Sequence, residues 1–195
     1  MEKERFDEII RNAKTSISAR PDFTGMDLRE NALRPVSLRF ATLRGCDLRG
    51  MDLSDLDLSY CDLSGADLSG ADLSGAKLAG ARLFGTKLAG ATLDRVSAAG
   101  AFLSGANLSR AHMHHANLRQ ADFTGANLSG ADLTDSYIVR AKMNATDLRG
   151  TILRDCDLRM SDIATPYVDD STDLSGADLS DADTSDAVWL AAEEA

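Results

Sequence analysis

The segment Ala66–Gly85 reads ADLSG ADLSG AKLAG ARLFG, four copies of one five-residue unit without an insertion. If the leucine is taken as the centre of the unit, an apolar residue recurs at every fifth position from Phe23 to Ile163, which makes 29 units. Twenty-two of the centres are leucine, and only Ala98 is small. This regularity predicts a repeat architecture, in which each unit must stack on its neighbours to bury a continuous core.

The other positions of the unit also keep a constant character. The residue two before the centre is Ala, Cys, Ser, Thr or Val in 24 of 29 units, and the residue two after it holds 14 of the 15 glycines. An α-helix needs apolar spacing near 3.6 and a flat strand needs strict alternation, so neither fits a period of five. The pattern predicts three extended residues that point in, out and in, followed by two corner residues. Such coils must stack to pair their backbone groups, which predicts an all-β solenoid.

The unit resembles the pentapeptide-repeat family, whose signature is a small residue, Asp or Asn, Leu or Phe, a small polar residue and Gly, as in ADLSG at residues 66–70. The resemblance covers residues 21–165 and implies a right-handed quadrilateral β-helix with twenty residues per coil. In that arrangement Phe40 and Tyr60 occupy one corner slot, one coil apart, as a stacked pair would. The centres form the predicted structural core, represented by Leu48, Leu68, Leu73, Leu103, Leu128 and Leu148.

The N-terminal segment has helical spacing in place of the period of five. Between residues 2 and 18 an apolar face recurs every three or four positions, and Pro21 follows; the face consists of Phe6, Ile9, Ile10, Ala13 and Ile17. This predicts an N-terminal capping α-helix within residues 1–20, because an open solenoid end would present unpaired strand edges. A helix that binds a partner is the alternative.

The C-terminal end departs from the repeat at Val168 and Leu174, which are six residues apart instead of five. A bulge or loop must absorb the extra residue, so residues 166–185 are predicted to form an irregular, acidic last coil. Residues 186–195 predict a short C-terminal helix. Its apolar residues either cap the last coil or bury a tryptophan in a twofold partner, which leaves a monomer or a C-terminally mediated homodimer open; they are Val188, Trp189 and Leu190.

The net charge of −10 lies entirely in the C-terminal part of the chain. Residues 1–159 contain 21 acidic and 21 basic side chains, whereas residues 160–195 contain ten acidic and no basic ones. A net negative charge argues against nucleic acid or an anionic membrane as a direct partner. A block of one sign is typical of a solubilising end; the alternative is a surface for a basic partner or for a groove that normally holds DNA.

The composition predicts a folded, cytoplasmic protein. With 44% hydrophobic residues, most of the chain has enough apolar surface for a core. The N-terminus, MEKERFDEII, carries charges where a signal peptide needs an apolar run, and no stretch approaches the ~20 apolar residues of a membrane span. Three cysteines occupy small inward slots, where they act as apolar fillers and fit a reducing compartment; they are Cys46, Cys61 and Cys156.

No pattern in the sequence points to catalysis. The P-loop, HExxH, CxxC and GxSxG motifs are all missing, and the regularly spaced aspartates are expected to accept hydrogen bonds from turn N–H groups. We therefore expect no enzyme activity, no catalytic residue, no cofactor and no metal. The histidines His112, His114 and His115 are expected to be solvated surface side chains; a surface metal site or a pH-sensitive patch is the alternative.

Outward aromatic residues are the candidate interaction surface. Phe84 and Phe102 flank their centres, Leu83 and Leu103, and twenty-residue coils would bring them together on one side as an exposed apolar spot. Basic residues are expected around them, namely Lys77, Arg82, Lys87 and Arg95. Further candidates are Phe40, Tyr60 and Tyr137. Neutral drift on a permissive surface is the alternative interpretation.

Three functions remain open from the sequence. The first is a non-enzymatic scaffold that mediates protein–protein interaction through its departures from the repeat. The second is implied by the resemblance, because some family members mimic DNA and protect DNA gyrase from quinolones. That role needs negative charge along the whole rod, and here the charge is terminal. The third is a purely structural protein of unknown role.

Overall fold

The computed structural model describes residues 2–15, 20–30, 33 and 37–184, which form one helix and a column of stacked coils. The helix, α1, spans Glu2–Thr15. None of the helical structure in the described ranges is long and apolar enough to cross a membrane.

The coils are held together by parallel β-bridges between residues twenty positions apart. Asp47 pairs with Asp67, and Asp67 pairs with Lys87 in the next coil. Four five-residue units therefore complete one turn, and each coil has four sides. The pairing is β, as the sequence predicts, but in the described ranges it consists of isolated bridges and not of continuous strands, because each side has only three extended residues before the next corner.

Unit 66–70 satisfies all five of its amide N–H groups. Four of them donate to backbone carbonyls, one across the preceding corner and three to the coils on either side. The fifth, two residues after the aspartate, donates to the aspartate carboxylate. The distances are 3.0 Å (Ala66 N to Leu63 O), 2.9 Å (Asp67 N to Cys46 O), 2.7 Å (Leu68 N to Lys87 O), 3.1 Å (Ser69 N to Asp67 Oδ1) and 3.0 Å (Gly70 N to Ala89 O). The predicted role of the aspartates as turn acceptors is thereby confirmed.

The centres fill the interior of the column. The leucines that represent the predicted core are at most 3% exposed: Leu48, Leu68, Leu73, Leu103, Leu128 and Leu148. Burying a leucine side chain contributes roughly 1.5–3 kcal/mol, so the column is stabilised mainly by these residues. Ala98, the one small centre, is also buried, with Val96 in the slot beside it.

The three cysteines lie in the buried small slots, and their thiols donate to carbonyls 23 residues earlier, as Cys61 does to Leu38 O at 2.6 Å. Burial raises the pKa of Cys61 and of Cys156 to about 12. Because the thiolate is the reactive form, we expect native protein to resist alkylation by iodoacetamide at pH 8, and all three thiols to react in urea. Labelling of native protein at the rate of an exposed thiol would contradict this placement.

Helix α1 covers the first coil. The ring of Phe6 packs against Phe23, the first centre, with a centroid distance of 5.8 Å, and Ile9 and Ile10 are partly buried against the core. The described helix extends to Thr15 and therefore includes four residues of the predicted apolar face, Phe6, Ile9, Ile10 and Ala13. Residue 17, assigned to that face by the sequence pattern, lies outside the described residues.

The extra residue near the C-terminus falls where the spacing predicts it. Bridged residues are twenty apart up to Asp147 and Tyr167, and twenty-one apart from Ile152 and Asp173 onward. In the loop between them the Asp169 carboxylate accepts a 3.0 Å hydrogen bond from Gly150 N. In the regular coils the corresponding N–H donates to a backbone carbonyl of the next coil. Here the extra residue shifts the backbone, and the carboxylate of Asp169 accepts this hydrogen bond instead. The predicted C-terminal helix, with Val188, Trp189 and Leu190, lies outside the described residues.

Candidate interaction surface

Phe84 and Phe102 lie side by side on one side of the column. Phe102 is the bridge partner of Arg82, and Phe84 follows two residues after Arg82, so the two rings are diagonal neighbours with centroids 5.8 Å apart. The buried centres Leu83 and Leu103 hold the backbone beneath them. Phe84 is 37% exposed and Phe102 is 43% exposed. We call these two residues the phenylalanine pair.

Charges of both signs surround the phenylalanine pair. The guanidinium of Arg82 lies 5.6 Å from the Phe84 ring centroid. Arg82 forms β-bridges with Phe102 in the next coil and with Asp62 in the preceding coil. Partial burial acts to raise the pKa of Asp62, but hydrogen bonds from Ser64 and the nearby arginines lower it overall, so this carboxylate is ionised. An apolar centre with a charged rim is the arrangement found in protein–protein interfaces.

The other basic residues expected around the phenylalanine pair lie elsewhere. Lys77 bridges Asp57 and Ser97, and Lys87 bridges Asp67 and Asn107, so both belong to other sides of the column. Arg95 is a corner residue that lines a groove with His114. The expectation of a basic surround is therefore wrong except for Arg82, because residues five apart in the sequence lie on successive sides of a four-sided coil.

Phe40 and Tyr60 form a second aromatic cluster at one corner. Their rings stack with centroids 5.1 Å apart and 9° between planes, and the guanidiniums of Arg20 and Arg39 lie 5.2 Å and 5.6 Å from the Phe40 centroid. The Tyr60 ring lies over Gly80, the next residue of that corner. This cluster, which we call the corner ladder, already has cations and a backbone surface as partners.

Tyr137 lies apart from both clusters. Its bridge partner is Asn117, and the Arg119 guanidinium lies 4.7 Å from its ring centroid. The five aromatic residues singled out by the sequence therefore occupy three separate places on the described column, and only two of the five form the phenylalanine pair.

His114 is engaged in an ion-pair cluster and is not simply solvated as expected. Its ring nitrogens lie 3.3 Å from Asp94 Oδ1 and 3.1 Å from Asp132 Oδ2, and its backbone N–H donates to Asp94 Oδ1 at 3.0 Å. The unit 111–115 has His112 where most units have Asp or Asn, so Asp94 supplies the missing carboxylate from the neighbouring coil. Among the described side chains no group of three or more His, Cys, Asp or Glu residues is arranged to hold a metal ion.

The His114 cluster predicts a pH-dependent stability. Its hydrogen bond to Asp132, aided by the charges of Asp132 and Asp94, raises the pKa of His114 above its ordinary value of 6.5. Because the pKa of His114 is higher in the folded than in the unfolded protein, the protonated side chain stabilises the fold fully below pH 6.5. This stabilisation is lost as the pH rises through the pKa that His114 has in the folded protein. We expect His114→Asn to lose about 0.5 kcal/mol more at pH 6 than at pH 9, a small effect because the side chain is 37% exposed.

The matched control is His112→Asn, because His112 forms no ion pair within the described ranges. Urea unfolding of both variants and the wild type at several pH values measures the difference. An equal loss for His114→Asn at both pH values would contradict the ion-pair assignment.

A second concave surface was missed by the sequence analysis. It is a groove of about 520 Å³ along one corner of the column, and we call it the basic groove; its main lining residues are Arg119, Val139, Arg140, Arg159, Met160 and Asp181. Its residues come from successive coils and are spread over more than sixty positions of the chain. Reading every twentieth residue, as in Gln120, Arg140 and Met160, would have revealed it.

The family model Pentapeptide repeats matches residues 33–70, 52–90, 86–125, 101–137 and 126–163, which together cover residues 33–163. The chain belongs to the pentapeptide-repeat family. Its fold is therefore the right-handed quadrilateral β-helix of that family. No curated protein matches the chain.

Solved structures of other pentapeptide-repeat proteins resemble the chain over most of its length. A trypsin-treated variant of QnrB1, a plasmid-mediated fluoroquinolone resistance protein, is 17% identical, with 89% of this chain and 94% of that chain covered and a TM-score of 0.55. HetL from Nostoc sp. strain PCC 7120, involved in heterocyst differentiation regulation, is 27% identical, with 91% and 93% covered and a TM-score of 0.36. At 17% identity the likeness to QnrB1 extends to the fold alone.

Proposed function

We propose that this pentapeptide-repeat protein is a non-enzymatic scaffold that docks another protein through the phenylalanine pair. The observation that carries the proposal is the exposure of two neighbouring aromatic rings on a side whose other units present polar residues. Aromatic side chains provide much of the binding energy at protein interfaces, and exposed apolar clusters on a soluble surface are uncommon. The generally non-catalytic character of the family agrees with this role.

The phenylalanine pair is a better docking site than the corner ladder. The rings of the corner ladder stack face to face and are already contacted by arginines and by Gly80, so a partner would have to displace existing contacts. Within the described ranges, Phe84 is the one ring of the phenylalanine pair with a cation over it, Arg82, and the two rings are tilted by 33°.

The test is a pull-down with the immobilised full chain. We expect wild type to capture a partner that the Phe84→Ser/Phe102→Ser variant does not capture. The control is Tyr167→Ser, which removes a 61% exposed aromatic ring from another side and should leave the capture unchanged. Circular dichroism of each variant checks that the fold is retained. An unchanged set of partners for the double variant would overturn the proposal.

We rank the DNA-mimicking modulator of gyrase second. A mimic of duplex DNA needs rows of unpaired negative charge, whereas several aspartates here are paired with arginines two positions later, as in Asp47 with Arg49 and Asp147 with Arg149, each at 2.6 Å. We expect no inhibition of gyrase supercoiling by the protein and no rescue from a fluoroquinolone. Inhibition or rescue in that assay would reverse the ranking.

A further inference from the structure

The basic groove is lined by three arginines, of which only Arg159 forms ion pairs within the described ranges. Arg159 is paired with Asp157 at 2.7 Å and lies 3.6 Å from Asp178. Arg119 lies over the ring of Tyr137, and neither Arg119 nor Arg140 forms an ion pair with any residue of the described ranges. Arg119 is close enough to Asp157 for its charge to help lower the pKa of that carboxyl, whereas Arg140 has no carboxylate at ion-pair distance in the described ranges of a protein whose net charge is −10.

The same groove has an apolar part. Met160 is 49% exposed, and Val139 lies beside it in the lining. The single lining carboxylate, Asp181, belongs to the last coil at one end of the groove. The groove therefore fits a segment that presents a large apolar side chain together with negative charges.

The chain itself contains a segment with this chemistry. Residues 185–195 read SDAVWLAAEEA, with three carboxylates, no basic side chain and the apolar run Val188, Trp189 and Leu190. An indole can pack against a methionine side chain and can also lie over a guanidinium, a contact that contributes about 0.5–1 kcal/mol at exposed sites. The carboxylates complement Arg119 and Arg140, neither of which forms an ion pair in the described ranges.

The segment also starts close to the groove. The described chain ends at Thr184, three residues after Asp181. The arginines at positions 140 and 119 lie about two and three coil steps from the last coil, which is about 10–14 Å at ~4.8 Å per step. Trp189 is five residues beyond Thr184, and five residues extend up to about 17 Å. It can therefore reach Met160 and Arg140.

We propose that residues 185–195 dock into the basic groove of the same chain. In this arrangement Trp189 packs against Met160, and the acidic residues of the segment pair with Arg119 and Arg140. The tryptophan lies on the flank of the column, not over the end of the last coil and not in a twofold partner. The inference is independent of the phenylalanine pair, which lies on another side.

The test uses Trp189 as a fluorescent reporter, because it is the only tryptophan in the chain. In the wild-type chain we expect a blue-shifted emission maximum and weak quenching by acrylamide, both independent of protein concentration. Arg140→Glu should shift the emission to longer wavelength and raise the quenching constant severalfold. Glu193→Gln/Glu194→Gln, which leaves the column untouched, should shift both observables in the same direction.

The matched control is Arg110→Glu. Arg110 and Arg140 are both exposed corner residues with φ of 58°, but Arg110 is not in the lining of the basic groove. The control should keep the wild-type emission and quenching. An exposed Trp189 in wild type, or protection that survives Arg140→Glu, would overturn the proposal. So would protection that disappears on dilution together with a fall in mass by light scattering, since that result assigns Trp189 to a second copy.

Discussion

Leu83→Ala is expected to lower the free energy of unfolding by about 3 kcal/mol, the usual cost of truncating a fully buried leucine. Leu83 is 0% exposed and packs between centres of the coils above and below, so the cavity cannot be filled by a surface rearrangement. Urea unfolding followed by circular dichroism measures the loss as a lower midpoint at constant slope.

Its matched control is the next residue. Phe84→Ser removes a larger side chain, but one that is 37% exposed, and should change the free energy of unfolding by less than about 1 kcal/mol. The neighbouring substitutions thus separate the two roles that alternate along the chain: Leu83 maintains the column, and Phe84 presents a surface. A larger loss for Phe84→Ser than for Leu83→Ala would contradict this division.

Gly80→Ala is expected to destabilise the protein by about 3 kcal/mol, from two effects of similar size. Gly80 has a φ of +62°, a left-handed conformation that costs any side chain about 1–2 kcal/mol. An added Cβ would also lie 2.7 Å from a carbon of the Tyr60 ring, so the corner ladder would have to shift. Urea unfolding again measures the loss.

Gly100→Ala isolates the backbone effect. Gly100 occupies the same corner one coil later, with a φ of +65° and nothing within 4 Å of the added Cβ, so only about 1–2 kcal/mol should be lost. Adding Tyr60→Ala to Gly80→Ala should remove the clash, so the two substitutions together should cost less than the sum of their separate effects. Equal losses at Gly80 and Gly100 would show that Tyr60 does not lie over Gly80.

The period of five was sufficient to predict which side chains are buried. Every centre has the same environment in each coil, so the position of Leu68 or Leu128 within its unit determines its burial. The stacking of Phe40 on Tyr60 required one further quantity, the twenty-residue coil, which came from the family resemblance. The extra residue between Val168 and Leu174 could also be predicted from the sequence. In a regular solenoid the apolar residues are five positions apart, so a spacing of six requires a bulge or loop.

The surface was less predictable, because its clusters join residues from different coils and different sides. Lys87 is near Phe84 in the sequence and on another side in space, whereas Asp94 reaches His114 across a coil boundary. His112 stands where most units have the Asp or Asn that accepts a hydrogen bond from the N–H two residues later. Asp94 of the preceding coil accepts this bond from His114 instead, which the sequence of unit 111–115 alone does not predict. The basic groove is assembled in the same way, from residues that only the coil length relates.

Site-specific photo-crosslinking in cells tests the docking proposal most directly. A benzophenone amino acid placed at position 84 or 102 is expected to give the same covalent adduct with one partner protein. The same probe at position 167, where Tyr167 is the most exposed of the large apolar side chains described, should give none. Adducts at position 167 with none at positions 84 and 102 would contradict the account, and a partner would then have to be sought on another side of the column.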